Sequence, residues 1–93
     1  QQLLTPKQVD FEFIHAPFIK AEAGEGFSLL LAKDGSVYSC GRGEYGALGL
    51  GDNSDVFIYT LITELQGKNI IDISTGTNHC IALSKDGSVY AWG

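Results

Sequence analysis

The segment FSLLLAKDGSVYSCG at residues 27–41 returns as HCIALSKDGSVYAWG at residues 79–93. Across that offset of 52, Leu31, Lys33, Asp34, Gly35, Ser36, Val37, Tyr38 and Gly41 recur as Leu83, Lys85, Asp86, Gly87, Ser88, Val89, Tyr90 and Gly93. The register runs upstream without a gap: Ile19 falls on Ile71, Gly24 on Gly76 and Glu12 on Glu64. An internal repeat restricts the fold more than any single motif. Each copy must be one supersecondary unit that stacks on its neighbour. We place one repeat unit at about residues 5–56 and a second, truncated one at about 57–93.

Each copy opens with an apolar, β-rich run, Phe18 to Ala23 or Ile70 to Thr75. A glycine turn follows at Gly24 or Gly76. A second strand is expected over Phe27 to Lys33 or His79 to Lys85, and a third over Ser36 to Cys40 or Ser88 to Trp92. Val, Ile, Tyr, Phe and Leu dominate these runs and no period of 3.6 appears, so strands are predicted throughout. Residues 60–66 could supply one helical turn, but Thr60, Ile62 and Thr63 argue against it. Between the second and third strands stand Asp34-Gly35 and Asp86-Gly87. Such a pair predicts a type I′ hairpin, with positive φ at both central residues. A repeat near fifty residues built from short antiparallel strands predicts a propeller blade. The expected fold is therefore all-β, with antiparallel β-propeller blades, about two blades of a larger propeller. A blade cannot bury both faces alone, and two copies are too few to close a ring.

Composition narrows the partners. The net charge is −5 and the six Lys and Arg residues are scattered singly, so no basic patch is present to hold nucleic acid directly. No apolar run approaches the roughly 20 residues of a membrane span, and no signal-peptide pattern opens the chain. The expected partners are other propeller blades or protein chains, in the cytoplasm or nucleus. Cys40 and Cys80 have no C-x-x-C spacing, and each is expected to behave as a small buried apolar residue. The chain contains no methionine. It is processed or a piece of something longer, and we expect the second.

The one motif that suggests chemistry is Gly41-Arg42-Gly43-Glu44-Tyr45-Gly46, a literal G-x-G-x-x-G. Dinucleotide binding needs a helix to open at this loop, so that a pyrophosphate meets free N–H groups. Ala47-Leu48-Gly49-Leu50-Gly51-Asp52-Asn53-Ser54 follows instead, and it will not propagate a helix. The glycines are better read as positions where the chain turns with positive φ or where blades approach closely. Leu48 and Leu50 would then enter an inter-blade core.

The run Gly76…His79-Cys80-Ile81-Ala82-Leu83…Asp86-Gly87-Ser88-Val89-Tyr90-Ala91-Trp92-Gly93 resembles the repeat of the regulator of chromosome condensation family. The segment Gly41 to Gly51 resembles the next stretch of the same repeat, so the likeness covers about Thr5-Pro6 to Gly93. The resemblance implies a seven-bladed propeller with four-stranded blades. It also implies two functions. One is a non-enzymatic scaffold for protein–protein interaction. The alternative is part of a guanine-nucleotide exchange factor for a Ran-type small GTPase. A propeller joined to a kinase or a ubiquitin ligase is a third, weaker reading. Phe27 and Ala47 depart from the family pattern, where a histidine like His79 and a glutamine before Leu-Gly are usual.

No cofactor, metal or catalytic site is expected. His79 has no second ligand at metal-like spacing and reads as a structural histidine hydrogen-bonded to nearby backbone. His15 is a loop residue without a constellation. Asp52-Asn53-Ser54-Asp55 lacks the twelve-residue calcium series. Tyr38, Tyr90 and Trp92 read as blade core. The structural repeat positions are Gly24, Asp34, Gly35, Gly41, Gly46, Gly49, Gly76, His79, Asp86, Gly87, Trp92 and Gly93. Tyr45 lies in the loop and has no counterpart in the second copy. With Arg42 and Glu44 it is the expected partner contact.

Overall fold

The computed structural model describes residues 17–93. Expectations that fall on residues 1–16, among them the start of the first repeat, Glu12 and His15, lie outside the described residues. Seven strands form two antiparallel sheets. The first contains β1 (Phe18–Ala23), β2 (Phe27–Ala32), β3 (Val37–Gly41) and β4 (Val56–Leu61), side by side in that order. The second contains β5 (Ile70–Thr75), β6 (Cys80–Ser84) and β7 (Val89–Trp92), again in chain order. This is the all-β blade architecture expected from the repeat, with one four-stranded and one three-stranded sheet.

The two copies share their irregularities as well as their strands. The β1–β2 register slips between Phe18 and Lys20, and the β5–β6 register slips at the equivalent step between Ile70 and Asp72. Below each slip one backbone bond ties the strand end to the next turn. Lys33 N–H donates to Pro17 O at 2.8 Å, and Lys85 N–H to Asn69 O at 2.9 Å.

The hairpins at Asp34-Gly35 and Asp86-Gly87 are not of type I′. Gly35 and Gly87 both have φ near +91°, but neither aspartate has positive φ. Gly35 N–H donates to Ala32 O at 3.0 Å while Ala32 N–H donates to Ser36 O at 2.8 Å. Gly87 N–H to Ser84 O and Ser84 N–H to Ser88 O repeat the pattern. These are three-residue loops closed by a type I turn and a left-handed glycine. Aspartate is drawn out of the left-handed region because its carboxylate caps the turn. Asp34 Oδ1 accepts from Ser36 N at 2.9 Å and Asp86 Oδ1 from Ser88 N at 3.0 Å.

Thr63–Leu65 also departs from expectation and forms a single 3-10 turn. Its β-branched neighbours argued against any helix, but the turn is short and Leu65 is buried beneath it. Burial outweighs propensity here. The fourth strand that the family resemblance implies for each blade is β4 in the first sheet. It is irregular: Gly41 pairs with Val56 and Ser39 with Thr60, so extra residues bulge outward between them. Phe57, inside the bulge, is 80% exposed.

One face of the first sheet packs onto the second. Phe27, Leu29, Leu31 and Val37 are buried against Ile70, Ile73, Cys80 and Ala82, and Ala47, Leu48, Ile62 and Leu65 complete the cluster. A fully buried Leu or Val side chain contributes roughly 1.5–3 kcal/mol, so the junction between the sheets is the main apolar core. Every buried side-chain polar atom among the described residues has a partner.

Candidate interaction site

The loop that links β3 to β4 carries both the glycine cluster and Tyr45. It starts where Gly41, at φ +116°, lies so close to Gly26 O that a Cβ would overlap it. Gly93 repeats this with φ +103° against Asn78 O. Only glycine combines that φ with that approach. Arg42 N–H then donates to Gly26 O at 2.8 Å. A tight 3-10 turn over Glu44–Gly46 comes next, held by Gly46 N–H to Gly43 O at 3.1 Å and Ala47 N–H to Glu44 O at 3.2 Å. On the outer side, Gly43 N–H donates to Asp55 Oδ1 at 2.9 Å.

From Ala47 onward the loop turns inward. Ala47 and Leu48 are buried, and Leu50 packs against the same core. Ser39 Oγ donates to Leu48 O at 2.8 Å, which ties the loop to its own sheet. Ala47 O accepts from Trp92 Nε1 at 2.9 Å and from Cys80 Sγ at 3.4 Å, which ties it to the second sheet. Burial pushes the Cys80 thiol up to about 12, so it stays protonated and can donate. Burial also raises the Cys40 thiol. The indole lies against Gly49, where a Cβ would come within 2.9 Å of Nε1. The loop is therefore a wedge between blades. A short 3-10 turn rather than an α-helix follows Gly43, and the Gly46, Ala47 and Gly49 N–H groups donate within the loop's own turns.

Tyr45 is the exception within this wedge. It has φ +61°, a left-handed conformation that costs a bulky residue energy, and its side chain is 67% exposed. Arg42 and Glu44 form an ion pair beside it, also exposed. The three residues singled out from sequence thus sit together on one projecting turn. The remaining expected positions are scattered through the framework. Gly24 and Gly76 lie directly under the rings of Phe27 and His79. The His79 ring packs on Gly76, and no backbone hydrogen bond to it is present among the described residues. Asp34, Gly35, Asp86 and Gly87 form the two hairpins. No group of three His, Cys, Asp or Glu that could hold a metal occurs among the described residues.

Strand direction sorts the loops onto two rims. The β1–β2 and β5–β6 turns and the β3–β4 loop share one rim, which carries Glu25, Arg42, Glu44, Asp52 and Asp55. The opposite rim, formed by the two Asp-Gly hairpins and the β4–β5 link, carries Lys33, Asp34, Glu64, Lys68, Lys85 and Asp86. The Tyr45 rim is thus acidic and the other is balanced. A groove of about 660 Å³ lies between Gly49, Asp52, Ile62, Glu64, Tyr90 and Trp92, beside the unpaired edge of β7. Asp52, Glu64 and Lys68 are the charged residues of its lining.

Two contacts that sequence reading missed join the blades near β1 and β5. Lys20 Nζ donates to Asp72 Oδ1 at 2.5 Å, and Thr75 Oγ1 to Ala23 O at 3.0 Å. Opposite charges at the same repeat position were the available signal for the first. The Trp92 bond to a backbone carbonyl left no trace in side-chain identity.

Sequence comparison agrees with this architecture. The profile described as "Regulator of chromosome condensation (RCC1) repeat" matches residues 34–83, and a second profile of the same description matches residues 18–47. The chain is 42% identical over 89 residues to the mouse (Mus musculus) protein named E3 ubiquitin-protein ligase HERC2, covering 96% of this chain and 2% of that one. The crystal structure of human WBSCR16 superposes with a TM-score of 0.81 at 33% identity, covering 95% of this chain and 22% of that one. Yeast RCC1 (Prp20), solved bound to Kap60, gives a TM-score of 0.75 at 26% identity over 86% of this chain and 20% of its own. The chain thus spans a small fraction of the length of the proteins it matches.

Proposed function

The chain belongs to the regulator of chromosome condensation repeat family, and from that premise we propose that it is a non-enzymatic interaction segment of a larger propeller. Its acidic rim presents Tyr45 to another protein. The observation that carries this reading is the contrast inside one loop. Ala47 and Leu48 are locked into the core, while Tyr45 is held outward, mostly exposed, in a left-handed conformation. Strain retained at an exposed aromatic is a feature of recognition sites. Arg42 and Glu44 flank it and fix the approach. Any chemistry of the parent protein, such as ligase activity in a HERC2-like context, lies outside this segment on this reading.

A photo-crosslinking side chain at position 45 of the parent protein tests it. One discrete protein adduct is expected there and none at Lys85 on the opposite rim. A nucleotide-release assay with a Ran-type GTPase separates the alternative. Release catalysed by the parent and abolished by Tyr45→Ala or Arg42→Ala would replace the scaffold reading with exchange activity.

A further inference from the structure

Among the described residues, Phe57 and Ile58 are the most exposed large apolar side chains, at 80% and 79%. They stand in the β4 bulge, where Phe57, Ile58 and Tyr59 lie opposite Cys40 alone. Both flanks of the bulge are pinned. Val56 packs on the core, and Tyr59 Oη shares a 2.5 Å hydrogen bond with Ser28 Oγ. Thr60 Oγ1 donates to Ile58 O at 2.8 Å. Blade stacking does not call for these two side chains. The sheets meet at β1 and β5, through Lys20–Asp72 and Thr75–Ala23, and β4 is the strand of the first sheet farthest from that seam. The repeat does not call for them either, since Thr5 and Pro6 stand 52 residues upstream.

We propose that Phe57 and Ile58 anchor a segment of another protein that carries large apolar side chains flanked by Lys or Arg. Adjacent large apolar side chains left in solvent mark interaction sites. The pinned flanks leave little backbone to order on binding. Charge selects the partner. From Gly43 to Gly67 the chain carries Glu44, Asp52, Asp55 and Glu64 and no Lys or Arg. Asp52 and Asp55 stand just before the bulge, held there as Oδ1 acceptors of the Ser54 and Gly43 N–H groups. An acidic surround repels nucleic acid and anionic lipid, and it attracts cationic protein. A second copy of this chain, at net charge −5, is repelled as well. The bulge breaks the edge of β4, so the partner grips side chains rather than adding a strand. The inference rests on the interaction reading above, but it uses a different element from the Tyr45 turn and names the chemistry of what binds.

Site-specific crosslinking in the full-length parent protein reads the proposal. A benzophenone-bearing phenylalanine in place of Phe57 keeps the aromatic anchor and reports contact at that position alone. The probe is a fluorescent amphipathic peptide of Leu and Lys, about 14 residues long. A discrete adduct is expected at position 57 and none with the reactive side chain at position 85. Ile58→Ser and the pair Asp52→Asn/Asp55→Asn are each expected to cut labelling roughly tenfold, and about 0.5 M salt to suppress it. Ile58 is exposed, so the unfolding midpoint is expected to hold. If Ile58→Ser lowers it, the β-branched Ile58→Thr probes the same contact. Equal labelling by a Leu/Glu peptide of the same pattern would overturn the proposal, as would labelling that Ile58→Ser leaves untouched. Adducts with single-stranded RNA or phosphatidylserine vesicles, and none with the peptide, would also overturn it. Adducts at position 45 with none at 57 would overturn this inference and leave the Tyr45 reading standing.

Discussion

Lys20 and Asp72 occupy the same position in successive copies of the repeat, and their side chains meet at 2.5 Å across the junction of the two sheets. Glu22 lies 3.9 Å from the same ammonium. The hydrogen bond to Asp72 is the main cause that holds Lys20 above its ordinary 10.5. The same bond, then the Ile73 amide, holds Asp72 below its ordinary 3.8. Asp72 therefore contributes stability above pH 3.8, lost as pH falls through its lowered folded value. Lys20 contributes below pH 10.5, lost as pH rises through its raised folded value. Both side chains face solvent, so the coupling is small and screened by salt. In a Lys20→Met/Asp72→Asn double-mutant cycle followed by urea unfolding, a coupling of stabilising sign is expected at neutral pH and low salt. It is expected to vanish near about pH 2 and at about 1 M salt.

Gly49 tests the wedge. It has φ +68° and lies against the Trp92 indole. Gly49→Ala adds left-handed strain of roughly 1–2 kcal/mol and forces the ring to shift. Trp92 is the single tryptophan, so its emission reports the junction without labelling. The expected result is a red-shifted emission and a loss of about 1–3 kcal/mol in denaturant unfolding. Gly51→Ala shares the positive φ but has nothing within 4 Å of the added carbon. It is expected to cost only the strain and to leave the emission in place.

The repeat made most of the fold legible. Phe18–Ala23 and Ile70–Thr75 were readable to the residue because β-rich runs stand between glycine turns in both copies. The strand Val56–Leu61 was harder to place. Its repeat counterpart, near Thr5 to Val9, is not β-rich, so internal comparison gave it no support. The Asp-Gly turns were located correctly but typed wrongly, since the carboxylate bond to Ser36 or Ser88 decides the geometry and a dipeptide rule does not see it. At the candidate site, Tyr45 was readable as an aromatic in a glycine-rich loop, but its exposure and left-handed backbone were not. The wedge was readable only in part. Leu48 and Leu50 announced a core, but the Ala47 carbonyl that receives Trp92 and Cys80 is backbone.

Thiol reactivity separates the two cysteines. Cys80 is fully buried and its thiol is pushed up to about 12. Cys40 is half-buried, and its thiol is raised by burial as well. The thiolate is the reacting species. At about pH 8 an aromatic disulfide reagent is expected to modify Cys40 slowly and Cys80 only after unfolding, with the second equivalent appearing at the urea midpoint. Simultaneous fast reaction of both would contradict the packing of Cys80 beneath Ala47.

Val37 and Val89 carry the same side chain at the same repeat position in two environments. Val37 is sealed in the junction, and Val89 faces solvent. Truncation to alanine at Val37 removes two buried methyl groups and leaves a cavity that the neighbouring strands close only in part. A cost of about 1.5–3 kcal/mol is expected. At Val89 the same truncation is expected to change stability by no more than about 0.5 kcal/mol in dilute solution. Equal costs at the two positions in dilute urea titrations would mean that the second sheet covers its own open face, contrary to the exposure seen at Ile81 and Val89.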